Sequence, residues 1–258
     1  KTKMLDELIG RVVAPYAVVT IVLFLFGCLI RFSPLPEIES ASTTDADQGK
    51  KSILDFPHLV LGAVAIFFHV GSQVVAVDSI INYTTGMGMS LSEAKVFPSY
   101  ILTTTIIGYL LGITIIPRWI SQLQALRICT VMGFVLSAFV LLAKGNMTLL
   151  GHTVDTSVWF IVLLGFANSM IWAGIWAVAM DGLGNLVKTG ASLLVMGLCG
   201  NAIMPLIYGA LADQVGQHFA YIVLLPCYTY LVYYAFWGYG LKSWKRTIKV
   251  EYEVSENL

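Results

Sequence analysis

The sequence predicts an all-α membrane protein: one transmembrane helix, a polar linker, and then six closely connected transmembrane helices. Three observations predict it. Hydrophobic residues make up 57% of the chain and charged residues 12%, against roughly 25% charged in a soluble domain, and the mean hydropathy is +0.80. The charged residues are clustered, leaving long stretches almost free of them, as lipid demands when a charge at mid-bilayer costs several kcal/mol. Finally, a hydrocarbon core of roughly 30 Å takes about 20 apolar helical residues to cross, and seven stretches meet that length.

The first stretch is Val12–Ile30, ending at Arg31. The second starts after Phe56-Pro57 and runs to about Ile81, with His69, Gln73 and Asp78 inside it. The third is Phe97–Ile116, closed by Pro117-Arg118, and the fourth is Leu126–Ala143. Val158–Met180, Ala191–Leu211 and Phe219–Leu241 complete the set. Ser33–Asp55 is the one long polar connection, rich in Ser, Thr, Asp, Glu and Pro, a composition that stays disordered because it has too little apolar surface to bury. The expected organisation is therefore a helix at 1–31, a linker at 32–55, a six-helix bundle at 56–241 and a tail at 242–258.

Lys and Arg set the orientation. Alternating sides gathers Arg31, Lys50, Lys51, Arg118, Arg127, Lys188, Lys242, Lys245, Arg246 and Lys249 on one side, and leaves Lys1, Lys3, Arg11, Lys95 and Lys144 on the other. Linker and tail are therefore expected in the cytoplasm of a multi-pass plasma (inner) membrane protein. The first helix then begins outside, which fits a chain cut within an earlier loop; the opening Lys1, without Met or signal peptide, agrees. One helix, a linker and six more helices is the pattern of the second half of a two-bundle transporter with the last helix of the first half attached. A seven-helix receptor is the alternative.

Net charge is zero, with no basic block of the kind that binds nucleic acid. Cys28, Cys129, Cys199 and Cys227 lie in apolar segments, as small hydrophobes rather than metal ligands or a disulfide framework. There is no phosphate loop, nucleophile elbow or paired-carboxylate arrangement, so neither catalysis nor a cofactor is expected.

Asp181-Gly182-Leu183-Gly184, then Gly190-Ala191-Ser192-Leu193-Leu194-Val195-Met196, Pro205-Leu206 and Gly209-Ala210-Leu211-Ala212-Asp213 resemble the tenth-to-eleventh helix region of the fucose:proton symporter family of the major facilitator superfamily. Phe56-Pro57-His58-Leu59-Val60-Leu61-Gly62, Val70-Gly71-Ser72-Gln73 and Ile81-Asn82-Tyr83 resemble its seventh helix, and Gly108, Gly112 and Arg118 resemble the end of its eighth. The resemblance implies helices six to twelve of a twelve-helix sugar permease. It further implies hexose uptake driven by a cation, usually protons, through alternating access with an N-terminal helical bundle that this chain lacks. Tyr109 departs from the Arg often found there, Ala173 from a Pro that often follows the aromatic residue of helix ten, and Gln73 from Glu. Without that Pro, helix ten is expected to be straighter. The family's proton-carrying acids lie in the absent bundle. A transporter of a drug, amino acid or lipid is the alternative within the superfamily.

A sugar site needs hydrogen-bonding side chains for hydroxyls and an aromatic face for the ring. His69 and Gln73 share a helix face at i, i+4. Asp78 and Asn82 point away from Gln73 on an ideal helix, at 100° per residue; the resemblance implies unwinding near the outer end that could return them to the cavity. Asp78 is the one acid deep in an apolar stretch, a functional candidate by default, although a place near the outer interface would leave it simply hydrated. Asn168, Trp172 and Trp176 recur at i, i+4, i+8, an amide and two indoles on one stripe that suit either a sugar or packing. Asn201 is set down chiefly to packing between helices, with substrate contact as its other role. Thr104, Gly108 and Gly112, and Gly197 with Gly200, would let helices approach closely. Tyr228, Tyr230, Tyr233, Tyr234 and Trp237 are expected to face lipid.

Overall fold

The computed structural model describes residues 2–32, 52–116, 118–242 and 244. Most of the expected linker and tail, and the Pro117 stop, lie outside these residues. Contacts divide the chain into two units, Lys1–Ala46 and Asp47–Leu258. The first contains α1, Thr2–Phe32, with Pro15 inside it. Its apolar stretch is Pro15–Leu29, within the segment the sequence marks out.

In the second unit, a 3-10 turn at Ile53–Asp55 opens on a capping box in which Ser52 and Asp55 bond each other's backbone N–H. Phe56 is extended and Pro57 takes the first turn of α2, Pro57–Gly86, where its missing N–H costs nothing. Short α3, Leu91–Ala94, leads into α4, Phe97–Ile115. A second capping box, Ser121 with Gln124, starts α5, Gln122–Leu142.

A β-hairpin follows, β1 Asn146–Leu149 and β2 His152–Asp155, antiparallel with Asn146 opposite Asp155. The all-α expectation did not include it. Leu150 and Gly151 both have positive φ, 51° and 81°, the mirror-image turn whose twist matches a two-residue hairpin. Leu150 in that conformation is an uncommon choice, so the turn carries only half of the usual Asn-Gly signature.

Asp155 caps α6, Thr156–Asn168, by accepting from Ser157 N–H. A turn at Ser169-Met170 separates α6 from α7, Ile171–Ala179. The i→i−4 bonding is interrupted there without a proline, which corrects the expectation of a straighter helix, although Ser169 and Met170 keep right-handed helical dihedrals and 156–179 forms one apolar span. The next span is also interrupted: α8, Val187–Met196, passes through a 3-10 turn at Gly197–Cys199 into α9, Gly200–Val215. Gly216, with φ of 87°, ends it. Short α10, Gln217–Ala220, and a 3-10 turn lead to α11, Leu224–Phe236, and a last 3-10 turn at Gly238–Gly240.

Among the described residues, six helical stretches of the second unit are long and apolar enough to cross a membrane: 57–86, 91–115, 122–142, 156–179, 184–215 and 217–236. α2 is central, packing against α4, α6, α7, α8, α9 and α11; α5 joins α6, α7 and α11. Small residues make this possible. A Cβ at Gly200 would overlap the Phe67 carbonyl, and one at Gly133 would overlap the Tyr228 ring. Thr104 adds an interhelical bond, its hydroxyl donating to Val162 O at 2.7 Å.

The aromatic residues of the last segment correct another expectation. Tyr228 and Tyr234 are fully buried, and only Tyr233 and Trp237 are exposed. Each buried or half-buried phenol has an acceptor on another helix: Asn168 for Tyr228, His58 O for Tyr234 and Leu61 O for Tyr230. Those acceptors draw the rings inward, because a phenol facing hydrocarbon leaves its O–H unpaired.

Candidate functional site

Burial and depth divide the residues singled out in the sequence into three groups. Gly62 of α2 abuts Ala179 of α7, and Tyr83 bonds Ser157 at the start of α6. α2 and α6–α7 are thus antiparallel, in a register that places His69 at the depth of Trp172 and Gln73 at the depth of Asn168.

The first group is inside the bundle. His69 and Asn168 are both 1% exposed. Tyr228 donates to Asn168 Oδ1 at 2.9 Å, and the Ser72 hydroxyl donates to His69 O at 2.8 Å. Asn168 Nδ2 and His69 Nδ1 are buried without a partner. A buried amide or imidazole nitrogen left unpaired costs about 1–3 kcal/mol. Among the described residues, His58 Nδ1 and Gln217 Oε1 share this unused hydrogen-bonding capacity, but they lie towards the two ends of α2.

The second group is partly accessible. Gln73 is half-buried on α2. Trp172 and Trp176, also half-buried, stack with ring centroids 5.9 Å apart and planes 20° apart. They follow directly on the helix break. Asn201 is exposed in the first turn of α9, next to Gly200 and so at the depth of Phe67.

The third group lies towards the hairpin end. α2 continues as a helix to Gly86, so the unwinding that could have returned Asp78 and Asn82 to Gln73 does not occur. Both are exposed and line a separate cleft of about 270 Å³ with Ser79, Tyr208, Asp213 and Gln217. Its wall is hydrogen-bonded: Ser79 Oγ lies 2.8 Å from Tyr221 Oη, and Tyr208 donates to Gln217 O at 3.1 Å. Beside it Tyr83 Oη stands 2.7 Å from Ser157 Oγ and 2.6 Å from His218 Nδ1. Sequence reading found neither Tyr208 nor Gln217, because nothing local to α9 and α10 signals that they face α2.

At the opposite end of α2, His58 N–H donates to Leu241 O and its Nε2 lies 3.0 Å from Asp181 O. Lys242 bonds the Asp181 carboxylate at 2.7 Å, and this bond and charge hold the Asp181 carboxyl below its ordinary value. The Asp181-Gly182-Leu183-Gly184 segment thereby joins the start of α2 to the end of α11, with Gly182 and Gly184 at positive φ of 77° and 52°. Among the described residues no cluster of three or more His, Cys, Asp or Glu side chains could hold a metal ion.

No family model matches the chain. Individual proteins do. The glucose/galactose transporter of Brucella abortus is 26% identical over 227 residues, 87% of this chain and 53% of that protein. The L-fucose-proton symporter of Haemophilus influenzae is 27% identical over 256 residues, 95% of this chain and 55% of that protein. The crystal structure of a major facilitator superfamily transporter, FucP, in the outward conformation has a TM-score of 0.72 at 22% identity, covering 86% of this chain and 53% of that one. The chain is thus similar, over most of its length, to sugar transporters and fucose-proton symporters, and it shares the fold of a major facilitator superfamily transporter. Its fold is the C-terminal half of such a transporter, and it is a multi-pass membrane protein. The chain spans about half the length of the relatives it matches.

Proposed function

We propose that this chain supplies the C-terminal bundle of a secondary transporter that imports a hexose-type sugar with a cation, usually a proton, by alternating access. The similarity over 87% or more of the chain to a glucose/galactose transporter and a fucose-proton symporter supports the substrate class. The observation that carries the site is the stacked, half-buried Trp172–Trp176 pair directly after a break in its helix. Interrupted membrane helices are where transporters place substrate, and an indole face suits the C–H surface of a sugar.

In this reading Gln73 and Trp172 touch the sugar, with Trp176 and Asn201 at its margins. Asn168 and His69 lie behind them and act through their buried hydrogen-bonding capacity, which a substrate hydroxyl or water could meet after a shift of α7. Asp78 and Asn82 serve the separate cleft. Residues 1–31 belong to the N-terminal bundle, 32–55 to a cytoplasmic linker and 242–258 to a cytoplasmic tail in the inner membrane. The chain needs the N-terminal bundle as its partner, because alternating access requires both halves. The relatives are transporters rather than receptors or enzymes.

Hexose uptake by the full-length protein in proteoliposomes under an imposed pH gradient tests this. Uptake should follow the gradient and compete with unlabelled glucose, galactose or fucose. Transport of an amino acid, drug or lipid in preference to every hexose tried would overturn it.

A further inference from the structure

Arg127 stands at the start of the expected span Leu126–Ala143, in a specific setting. It sits in the second turn of α5, where its Nε donates to Ala235 O and Nη2 to the Tyr239 hydroxyl, each at 3.1 Å. Its guanidinium also lies 5.2 Å from the Phe236 ring centroid and 5.5 Å from that of Tyr239. These contacts fix the side chain at the end of α11, where a cation also meets the negative end of the helix dipole. They leave its outer pair of N–H groups unused, the fork that fits a phosphate in two parallel bonds. The ion pair found among the described residues joins Lys242 to Asp181, so the Arg127 charge has no carboxylate there.

Beside it runs an apolar groove of about 330 Å³ between α5 and α11, lined by Val131, Phe134, Thr229, Val232, Tyr233 and Trp237. Val131 and Phe134 lie four and seven residues beyond Arg127, so groove and guanidinium share one face of α5. The Thr229 hydroxyl is satisfied within its own helix, donating to Leu225 O at 2.7 Å, and offers nothing polar to the groove. Tyr233 and Trp237 stack at 6.4 Å on its wall, the residue types that settle at the boundary between headgroups and acyl chains. A fixed cation with a free fork, interfacial aromatics and an apolar channel leading away from them describe one amphiphile, with an anionic phosphate head and a hydrocarbon tail.

We propose that this groove binds an anionic phospholipid, with the phosphate on Arg127 and one acyl chain along Val131 and Phe134. The site lies between α5 and α11, apart from Gln73 and the Trp172–Trp176 pair, and does not depend on which solute is carried.

The test uses the full-length protein in nanodiscs and the fluorescence of Trp237, isolated by subtracting a Trp237→Phe variant. Brominated phosphatidylglycerol should reach half-maximal quenching at a mole fraction about five-fold lower than brominated phosphatidylcholine, the preference one basic side chain confers at an anionic surface. Arg127→Gln should bring the two lipids together. Because that change also removes two bonds to α11, Val131→Phe provides the second arm: it leaves Arg127 in place, fills the groove and should weaken quenching by the anionic lipid. Equal quenching by both lipids in the unaltered protein would reduce the groove to ordinary lipid contact and overturn the proposal. So would anionic quenching that Val131→Phe leaves unchanged, or a Trp237 shielded from both lipids by a second copy of the chain.

Discussion

The Tyr228 hydroxyl donates to Asn168 Oδ1 across 2.9 Å, tying α11 to the last residue of α6 just before that helix breaks. The other half of the amide, Nδ2, is already unpartnered. Tyr228→Phe should therefore leave Asn168 with no bond at all and destabilise the bundle by about 1–3 kcal/mol, read as a lower Tm in detergent. A Tm unchanged by Tyr228→Phe would mean that the bond contributes nothing net.

Sugar binding should divide the polar residues by accessibility. Gln73→Ala and Trp172→Ala are expected to weaken hexose affinity about ten-fold each, the loss of roughly one hydrogen bond or one stacking face, without lowering Tm. Isothermal titration of the purified full-length protein measures it. Gln73 leaves the site if its removal leaves affinity unchanged.

Asp78 and Asn82 occupy a cleft apart from Gln73. Effects of Asp78→Asn and Gln73→Ala on uptake should then add, within about 0.5 kcal/mol in a double-mutant cycle, as independent sites do. A larger coupling would place the two side chains on the same ligand.

Glycine spacing gives a paired test. Gly200→Ala drives a methyl into the Phe67 carbonyl and should cost about 1–3 kcal/mol through overpacking. Gly209→Ala, two and a half turns along the same helix, meets nothing within 4 Å and should be neutral or stabilising by up to about 1 kcal/mol. Thermal unfolding of both variants side by side checks the contrast.

The Lys242–Asp181 bond predicts a pH effect with a definite sign. Lys242 lowers the folded-state value of the Asp181 carboxyl, so its contribution is complete above the ordinary carboxylate range and is lost as pH falls through the lowered value. Both side chains are well exposed, 53% and 71%, so the effect is small. The Tm gap between the unaltered protein and Asp181→Asn should close on acidification and remain constant around neutrality.

How far the sequence revealed all this depends on whether the signal was local. Six spans were legible because twenty apolar residues in a row have few other uses, and Pro57 and Ser121 marked starts by chemistry confined to one turn. The break at Ser169-Met170 was not legible. No proline announces it, and the close fit of Gly108 to Ser169 and of Gly112 to Met170 that accompanies it is a tertiary fact. Asn168 is a substrate candidate through its spacing from two indoles, and the sequence does not say that its Oδ1 accepts from Tyr228, sixty residues on. The same blindness put Tyr228 and Tyr234 in lipid. The hairpin was missed because Leu-Gly is a weak turn signal and four-residue strands carry almost no periodicity.

α2 is a ruler laid against the membrane. Thirty residues at 1.5 Å each make a rod of about 45 Å, some 15 Å more than the hydrocarbon it crosses. Counted from Pro57, Asp78 comes about 32 Å along that rod. If Pro57 marks one face of the hydrocarbon and the helix stands upright, the carboxylate emerges at the other. Tilting would draw it back under, so the angle of one helix decides whether that acid is wet or dry.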